Sequence, residues 1–302
     1  MALPVYRIDL HTHSDFSPDG RGTPEALVRS AAARGACLYS LTDHNHFGGV
    51  LRAQKEAAAL GLPFLTGAEF DLQHPATGRG YHFLFYGFDP RHPGLAALAR
   101  EQAALYEASF LAIHPHLSAS GMTIDLDALR DDLRTRYPGN PEPALNQWHA
   151  AEWLFERGEI ANREVLRERI TSLRRENPSV RFNGRFRDLA SALPIARDAG
   201  ATVVLAHVAR YFPGEIAKQI GLIERLLEEG IDGFELHHPS NRQEPEFTRL
   251  TDAARQLGCV VTAGSDTHDA LGAGGAANPA FGAMEIEEWA YARLRERFNG
   301  FS

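Results

Sequence analysis

Residues 8–20 read IDLHTHSDFSPDG: an apolar extended run that breaks into two histidines spaced two apart and then into carboxylates. On extended backbone the side-chain period is two, so His11 and His13 point to one side of the strand. Asp9, two residues earlier, falls on the same face but deeper, where a carboxylate can orient an imidazole. Ligand-type side chains gathered at a strand end suit parallel β/α architecture, whose loops converge at the C-terminal ends of the strands. On that reading the rest of the chain alternates strand and helix, and other strands end in the same residue types.

Outward from the stretch, VYRIDLH reads as a strand and PEALVRSAAARGA as a helix, with Thr23 as cap and Pro24 in its first turn. CLYSLTDHN is strand-like, VLRAQKEAAALG helical, PFLTGAEFDL a third strand and YHFLFYGFD a fourth extended segment. The regularity stops near residue 94. From there LAALAREQAALYEASFLAIHPHL, TIDLDALRDDLRTRYPG and PALNQWHAAEWLFERGEIANREVLRERITSLRRENP show helical patterns, and nothing in them alternates as a strand. FRDLASALPIARDAG then reads as a helix bending before Pro194. ATVVLAHVA, IDGFELHHP and CVVTAGSDTH are strands separated by helices, EEWAYARLRERFNG is a terminal helix, and one more strand falls near AFGAMEIE. The expected fold is α/β: an irregular (β/α)7-type barrel over residues 1–94 and 188–302, with residues 95–187 as a helical insertion or cap. An open parallel sheet is the competing topology.

The strand ends carry the chemistry. His11 and His13 end the first strand, Asp43 and His44 the second and Glu69 the third; His82 lies within the fourth. His207 ends VVLAH, His237 and His238 end GFELHH, and Asp266 and His268 end VVTAGSDTH, again two apart. One such histidine could cap a turn or pack in the sheet. Most strands ending in imidazole or carboxylate is a pattern. A carboxylate in the apolar setting of Glu69 must be paired or neutralised. Neutral imidazole with carboxylate suits zinc, iron and manganese, and so many donors exceed the needs of one ion.

Composition bounds the alternatives. Among 302 residues, 44% are apolar and 23% charged, which fits a globular protein. The 31 basic and 39 acidic side chains give a net charge of −8, which argues against nucleic acid as the main partner. Cys37 and Cys259 lie in apolar contexts and read as buried free thiols. MALPVYRIDL is no plausible signal peptide and no run is long and apolar enough to span a membrane, so a cytoplasmic protein is expected.

The ordered motifs HTHSDFSPDG, LTDHN, TGAEF, YHFLFYGFD, LAH and GSDTH resemble those of the PHP family, named for polymerase and histidinol phosphatase members. They cover about residues 6–90 and 189–270. The resemblance implies an irregular seven-stranded barrel holding two or three divalent ions (Mn, Fe or Zn) and hydrolysing phosphoric esters. It implies one site from His11, His13, Glu69 and Asp266; a second from Glu69, His82 and His207; and a third from Asp19, His44 and His268. Asp19 thereby outranks the nearer Asp15. The sequence departs from the family pattern at AHVARY, where the family often has AHP, and at HFGG after TDHN. It also carries extra histidines, His114, His116, His237 and His238, of which His114, His116 or His237 could replace His82 or His207 as a ligand or face substrate.

The implied reaction is in-line attack on phosphorus by a hydroxide activated between the ions, on a small phosphorylated metabolite. Arg210 is the first candidate for holding the phosphate, with Arg185 and Arg187 behind it. His46 or His268 is expected to protonate the leaving oxygen. The insertion is the expected place for specificity or homo-oligomer contacts. The rivals are a metal-dependent hydrolase of C–N or carboxylic ester bonds, a non-catalytic metal-binding PHP domain, and, ranked low, a polymerase-associated exonuclease.

Overall fold

A computed structural model describes residues 4–136, 144–177, 180, 186–270 and 278–300. They form two compact units, 1–99 with 187–302, and 100–186.

The first unit is built on a sheet of eight strands: β1 Val5–Asp9, β2 Leu38–Leu41, β3 Phe64–Gln73, β4 Gly80–Tyr86, β5 Thr202–Leu205, β6 Gly233–His237, β7 Val260–Ala263 and β8 Met284–Glu287. The spatial order is β7-β6-β5-β4-β3-β2-β1-β8. Beyond Asp9 the first strand changes neighbours. Leu10 N–H bonds Ala263 O at 2.9 Å, Asp266 N–H bonds His11 O at 2.8 Å and His13 N–H bonds Thr267 O at 3.0 Å. These bonds close β1 onto the end of β7, so the sheet is a barrel rather than an open layer.

Two strands depart from the parallel β/α pattern. β4 runs antiparallel to both β3 and β5, and β8 runs antiparallel to β1. The link between β3 and β4 is only residues 74–79, too short for the crossover that a parallel pair needs. The reversal has a functional consequence. The N-terminal half of β4 lies at the end of the barrel where the parallel strands finish, so His82, third in its strand, reaches the same rim as His11.

Helices α1 (Pro24–Ala33), α2 (Val50–Leu60), α7 (Leu189–Asp198), α8 (Ile216–Glu228), α9 (Pro239–Arg242), α10 (Phe247–Leu257) and α11 (Glu288–Arg297) belong to this unit. Thr23 caps α1 by accepting from Ala26 N–H at 3.3 Å, and α7 continues through Pro194. α8 buries Ile216, Leu222, Ile223 and Leu226, an apolar stripe at helical spacing. β5 and β6 are buried along their whole length, as strands covered on both faces are. Truncating a fully buried leucine such as Leu226 to alanine costs about 2–5 kcal/mol at such a site.

Between β4 and β5 the chain runs through α3 (Pro93–Ala119), α4 (Leu126–Arg136), α5 (Gln147–Glu156) and α6 (Glu164–Glu176) before α7. The second unit has its own core, including Phe110, Ile113, Leu129, Trp153, Leu154 and Ile170. No described helix is long and apolar enough to cross a membrane.

Candidate metal centre

The rim of the barrel is assembled by strand geometry. His11 and His13 project together while Thr12 turns away to Tyr39 Oη at 2.7 Å and to the Ser40 carbonyl at 2.9 Å. A Cβ on Gly264 would lie 2.2 Å from His11 Cβ, so only glycine lets β7 pass beneath that imidazole. Gly20 is required in the same way: a Cβ there would lie 2.1 Å from Ser14 O, and its absence lets the SPDG turn fold back to present Asp19. His207 and Asp266 both have left-handed backbone, φ 31° and 52°. Such residues cost of order 1–3 kcal/mol and persist where surrounding structure enforces them.

Three groups of donors lie within ligand reach among the described residues. The first is His11, His13, Glu69 and Asp266. Its Nε2 atoms stand 3.2 and 3.4 Å from Glu69 Oε2, and 3.4 and 3.2 Å from Asp266 Oδ1. Two ligands about 2.0–2.1 Å from one ion are about 3.3 Å apart at the tetrahedral angle, so these spacings fit a bound cation. The second group is His44, Glu69 and His82, with Nδ1 atoms 3.1 Å from Oε2 and 2.9 Å from Oε1 of Glu69. His207 stands outside that grouping, yet its Nε2 is 3.2 Å from Glu69 Oε1. The third is His13, Asp19, His44 and His268, with His268 Nε2 3.4 Å and His44 Nε2 3.7 Å from Asp19 Oδ2. His44 thus faces Glu69 with one nitrogen and Asp19 with the other.

The donors are buried and unsatisfied. His11 Nε2, His44 Nδ1 and Glu69 Oε2 have no hydrogen-bond partner, nor do His207 Nδ1 and His238 Nε2 beside them, while Asp266 Oδ2 is paired with Arg210 Nη1 at 2.7 Å. Buried polar groups are ordinarily hydrogen-bonded, and so many orphans in one place call for a cation. Electrostatics agrees. Burial opposes charge on Glu69, but His44, His11 and His82 hold its carboxyl well below the usual range. Burial opposes charge on Asp266 as well, and His11, His13, His238 and His268 together outweigh it, holding its carboxyl well below the usual range. Burial also disfavours a proton on His11 and His268. Glu69, Glu235 and Asp266 nonetheless raise His11 well above the ordinary value, and Asp19 raises His268 to about 9. Those protons stand where positive charge is wanted. His13 is pushed down to about 3, chiefly by burial, which leaves it neutral as a ligand must be.

The supporting residues were not all foreseen. Glu235, the acidic residue inside FELHH, is fully buried; Oε1 meets His11 Nδ1 at 3.1 Å and Oε2 accepts from His207 N–H at 2.9 Å. Asp71, opposite His82 in the β3–β4 register, meets His82 Nε2 at 2.9 Å and accepts from Asn45 Nδ2 at 2.6 Å. Asp71 continues the alternation that placed Glu69, which was the available signal; after Glu235 a register shift breaks the alternation, so His238 rather than His237 follows it to the rim. Asp9 does not orient an imidazole. Its carboxylate accepts from Ser265 N–H at 2.9 Å, Ser265 Oγ at 2.8 Å and Gly282 N–H at 2.7 Å, tying β1 to the segments that close the barrel. It lies one layer below the rim, where backbone donors meet it first.

Other candidates fall in different places. Arg210 Nη1 is 2.7 Å from Asp266 Oδ2, and its side chain is half-exposed. His46 stacks on Phe16 at 5.5 Å and its Nδ1 accepts from Gly48 N–H; burial lowers it to about 4. His237 Nε2 pairs with Glu287 at 2.8 Å, whereas His238 Nε2 stands 3.4 Å from Asp266 Oδ2. His114 Nε2 bonds the Ile124 carbonyl at 2.7 Å, and His116 lies in the last turn of α3. Asp43 accepts from Ser14 N–H and Oγ at 2.6 and 2.8 Å, and Asp15 belongs to none of the three ligand groups. Arg187 O accepts from Gln73 N–H at 3.0 Å; Arg185 lies outside the described residues.

Residues 9–121 match the PHP domain family model. The chain is 33% identical over 276 residues to a 3',5'-nucleoside bisphosphate phosphatase of Chromobacterium violaceum, covering 89% of each chain. It is 28% identical over 266 residues to a 5'-3' exoribonuclease of Haemophilus influenzae, covering 87% of this chain and 90% of that one. Among solved structures, an amidohydrolase of C. violaceum with bound sulfate and no metal superposes with a TM-score of 0.72 at 26% identity, over 96% of each chain. A candidate metal-dependent phosphoesterase of Bifidobacterium adolescentis superposes with a TM-score of 0.75 over 100% of this chain and 99% of that one, a likeness of fold at 22% identity. The ordered imidazole and carboxylate motifs at the strand ends, the barrel that presents them, the family-model match and the relative matched over 89% of each chain agree: the chain belongs to the PHP domain family.

Proposed function

We infer that this chain is a metal-dependent phosphoesterase, a hydrolase of phosphoric esters, acting in the cytoplasm on a small phosphorylated metabolite, with a nucleotide as first choice. The observation that carries the reading is the set of buried, unpaired imidazole and carboxylate atoms converging on Glu69 at the barrel rim. His11, His13, Glu69 and Asp266 would hold one divalent ion, Glu69 with His82, His207 and His44 a second, and Asp19, His44 and His268 a third. Manganese, iron and zinc all suit these ligands. Bound there, such ions supply an activated water at neutral pH and neutralise charge on the phosphoryl group.

The chain's own residues do the rest. Glu235 and Asp71 orient His11 and His82 by bonding the ring nitrogen that faces away from the ligand position or closes on it. Arg210 has guanidinium donors to spare beyond its contact with Asp266, and their planar fork suits phosphoryl oxygens. His46, held neutral by burial, has no proton to give as an acid at neutral pH. His268 holds one when metal-free; as a ligand it would give that proton up to solvent on binding an ion, and only while unligated could it pass the proton to the leaving oxygen.

Both named relatives act on nucleotide material, and the net charge of −8 ranks a small nucleotide above an RNA chain. The test is phosphate release by the metal-loaded protein from nucleoside bisphosphates, mononucleotides, sugar phosphates and short oligoribonucleotides, beside a panel of amides and lactones. Turnover confined to amides and lactones would replace this reading with the amidohydrolase one, which the name of the C. violaceum neighbour keeps in view.

A further inference from the structure

The two adjacent histidines of FELHHP serve different neighbours. His237 bonds Glu287 through Nε2, and its Nδ1 accepts from Arg242 Nη2 at 3.2 Å. His238 turns the other way and is 1% exposed. Its ring centroid is 5.4 Å from that of His207 and 6.3 Å from that of His11. It belongs to none of the three ligand groups. As N-cap of α9, its Nδ1 accepts the Ser240 backbone N–H at 3.0 Å. A ring nitrogen that accepts an amide hydrogen presents a lone pair, so in neutral His238 the proton sits on Nε2. That Nε2 is buried without a hydrogen-bond partner and faces Asp266 Oδ2 at 3.4 Å. Arg210 Nη1 approaches the same oxygen at 2.7 Å, while Asp266 Oδ1 looks toward Nε2 of His11 and His13.

We propose that His238 is a positioning residue for Asp266. Its tautomer, locked by the Ser240 amide, aims an N–H at Oδ2, the oxygen Arg210 also meets, and leaves Oδ1, which faces His11 and His13, as the oxygen that would be offered to an ion. His238 is then neither a metal ligand nor a helix cap alone. The inference rests on Asp266 being a metal ligand.

Substitution separates the cap from the donor. Asparagine caps well, because its Oδ1 can accept from Ser240 N–H, but it is too short to bring a donor to Asp266. Glutamine extends a donor further but is a poor cap. The measurements are Mn²⁺ affinity by calorimetry with chelator competition, ions per chain by elemental analysis, and the ¹⁵N spectrum of the His238 ring. His238→Asn is expected to bind Mn²⁺ about 10–100-fold more weakly with its melting temperature kept, and His238→Gln to recover most of the affinity. The number of ions per chain stays constant, and Nε2 keeps its proton-bearing ¹⁵N signal when diamagnetic Zn²⁺ is loaded.

Wild-type affinity in His238→Asn would reduce the residue to a cap. A coordinated Nε2 signal, or one ion fewer per chain in both variants, would make it a ligand; either result overturns the proposal. Should His238→Asn not fold, the wild-type ring spectrum decides, since a ring protonated on Nδ1 or bound to metal refutes the locked tautomer. Wild-type protein that binds no divalent ion removes the metal centre and this inference together. Equal binding by wild type and His238→Asn removes the inference alone.

Discussion

The barrel rim and the helical unit of residues 100–186 are both rich in histidine and charge, and they spend them differently. In the helical unit His114 bonds the Ile124 carbonyl and His149 Nδ1 the Ala144 carbonyl at 3.1 Å. Arg136 there pairs with Asp132 and with Glu156. At the rim, His11 Nε2, His44 Nδ1 and Glu69 Oε2, atoms of the candidate ligand groups, are buried with no hydrogen-bond partner. A helix supplies partners one turn away, as Asp132 does for Arg136, and the segments packed beside it supply others, as the Ile124 carbonyl and Glu156 do. A strand end supplies none, and side chains from several strands meet there with lone pairs unspent. The density of ionisable residues therefore says little. What distinguishes a site is whether the local backbone can satisfy them.

The sharpest way to break that contrast is to remove a donor from the rim. His11→Ala and Asp266→Ala are expected to lower kcat/KM by about 10³-fold or more, equal to about 4 kcal/mol of barrier. Unchanged turnover on a phosphate ester with metal present would leave the rim as merely polar. Removing the support rather than the donor should do less. Glu235→Gln keeps the size of the side chain but weakens its hold on His11, and should cost about 10–100-fold in metal affinity, read by chelator competition.

A pH titration probes the same contrast without mutation. His268 has a folded-state pKa of about 9, above the ordinary imidazole value, because Asp19 outweighs the cost of burial. A proton favoured in the folded state stabilises it fully below about pH 6.5, and that contribution is lost as pH rises toward 9. The melting temperature of metal-free protein should therefore fall across this window, while metal-loaded protein, whose ions take the place of the protons, should hold steady. A metal-free protein that gains stability across the window would contradict the arrangement. The smallest effect belongs to the helical unit. His114→Ala should cost about 1 kcal/mol in a denaturant melt through its lost bond to Ile124 O, and leave kcat/KM within about twofold.

The two-residue spacings were the most legible part of the site. His11 with His13 follows from strand periodicity, whereas Asp266, beyond the end of β7 on left-handed backbone, reaches the rim by a turn; Gly264 and Gly20 stand where close approach needs them. Glu235 and Asp71 were harder to see. A carboxylate inside an apolar strand gives no sign of which imidazole it will meet until the strands are paired, and their partners lie 224 and 11 residues away: Glu235 at His11 and Asp71 at His82. The pair His237–His238 was ambiguous for a related reason. Alternation says that the two point apart, but not which of them faces the rim.

The sequence by itself determined most of the alternating elements, the imidazole and carboxylate donors and most of the strand ends that carry them, because periodicity and residue chemistry are local properties. Only the tertiary structure decided that β4 runs backwards and so brings His82 to the rim, that β1 closes onto β7 rather than leaving an open sheet, and that His238 rather than His237 looks at Asp266. Those outcomes depend on which strands become neighbours. The physical reason is that hydrogen-bond closure and the pairing of buried charges are long-range: a donor's fate is set by the group that folding brings to it, wherever that group lies along the chain.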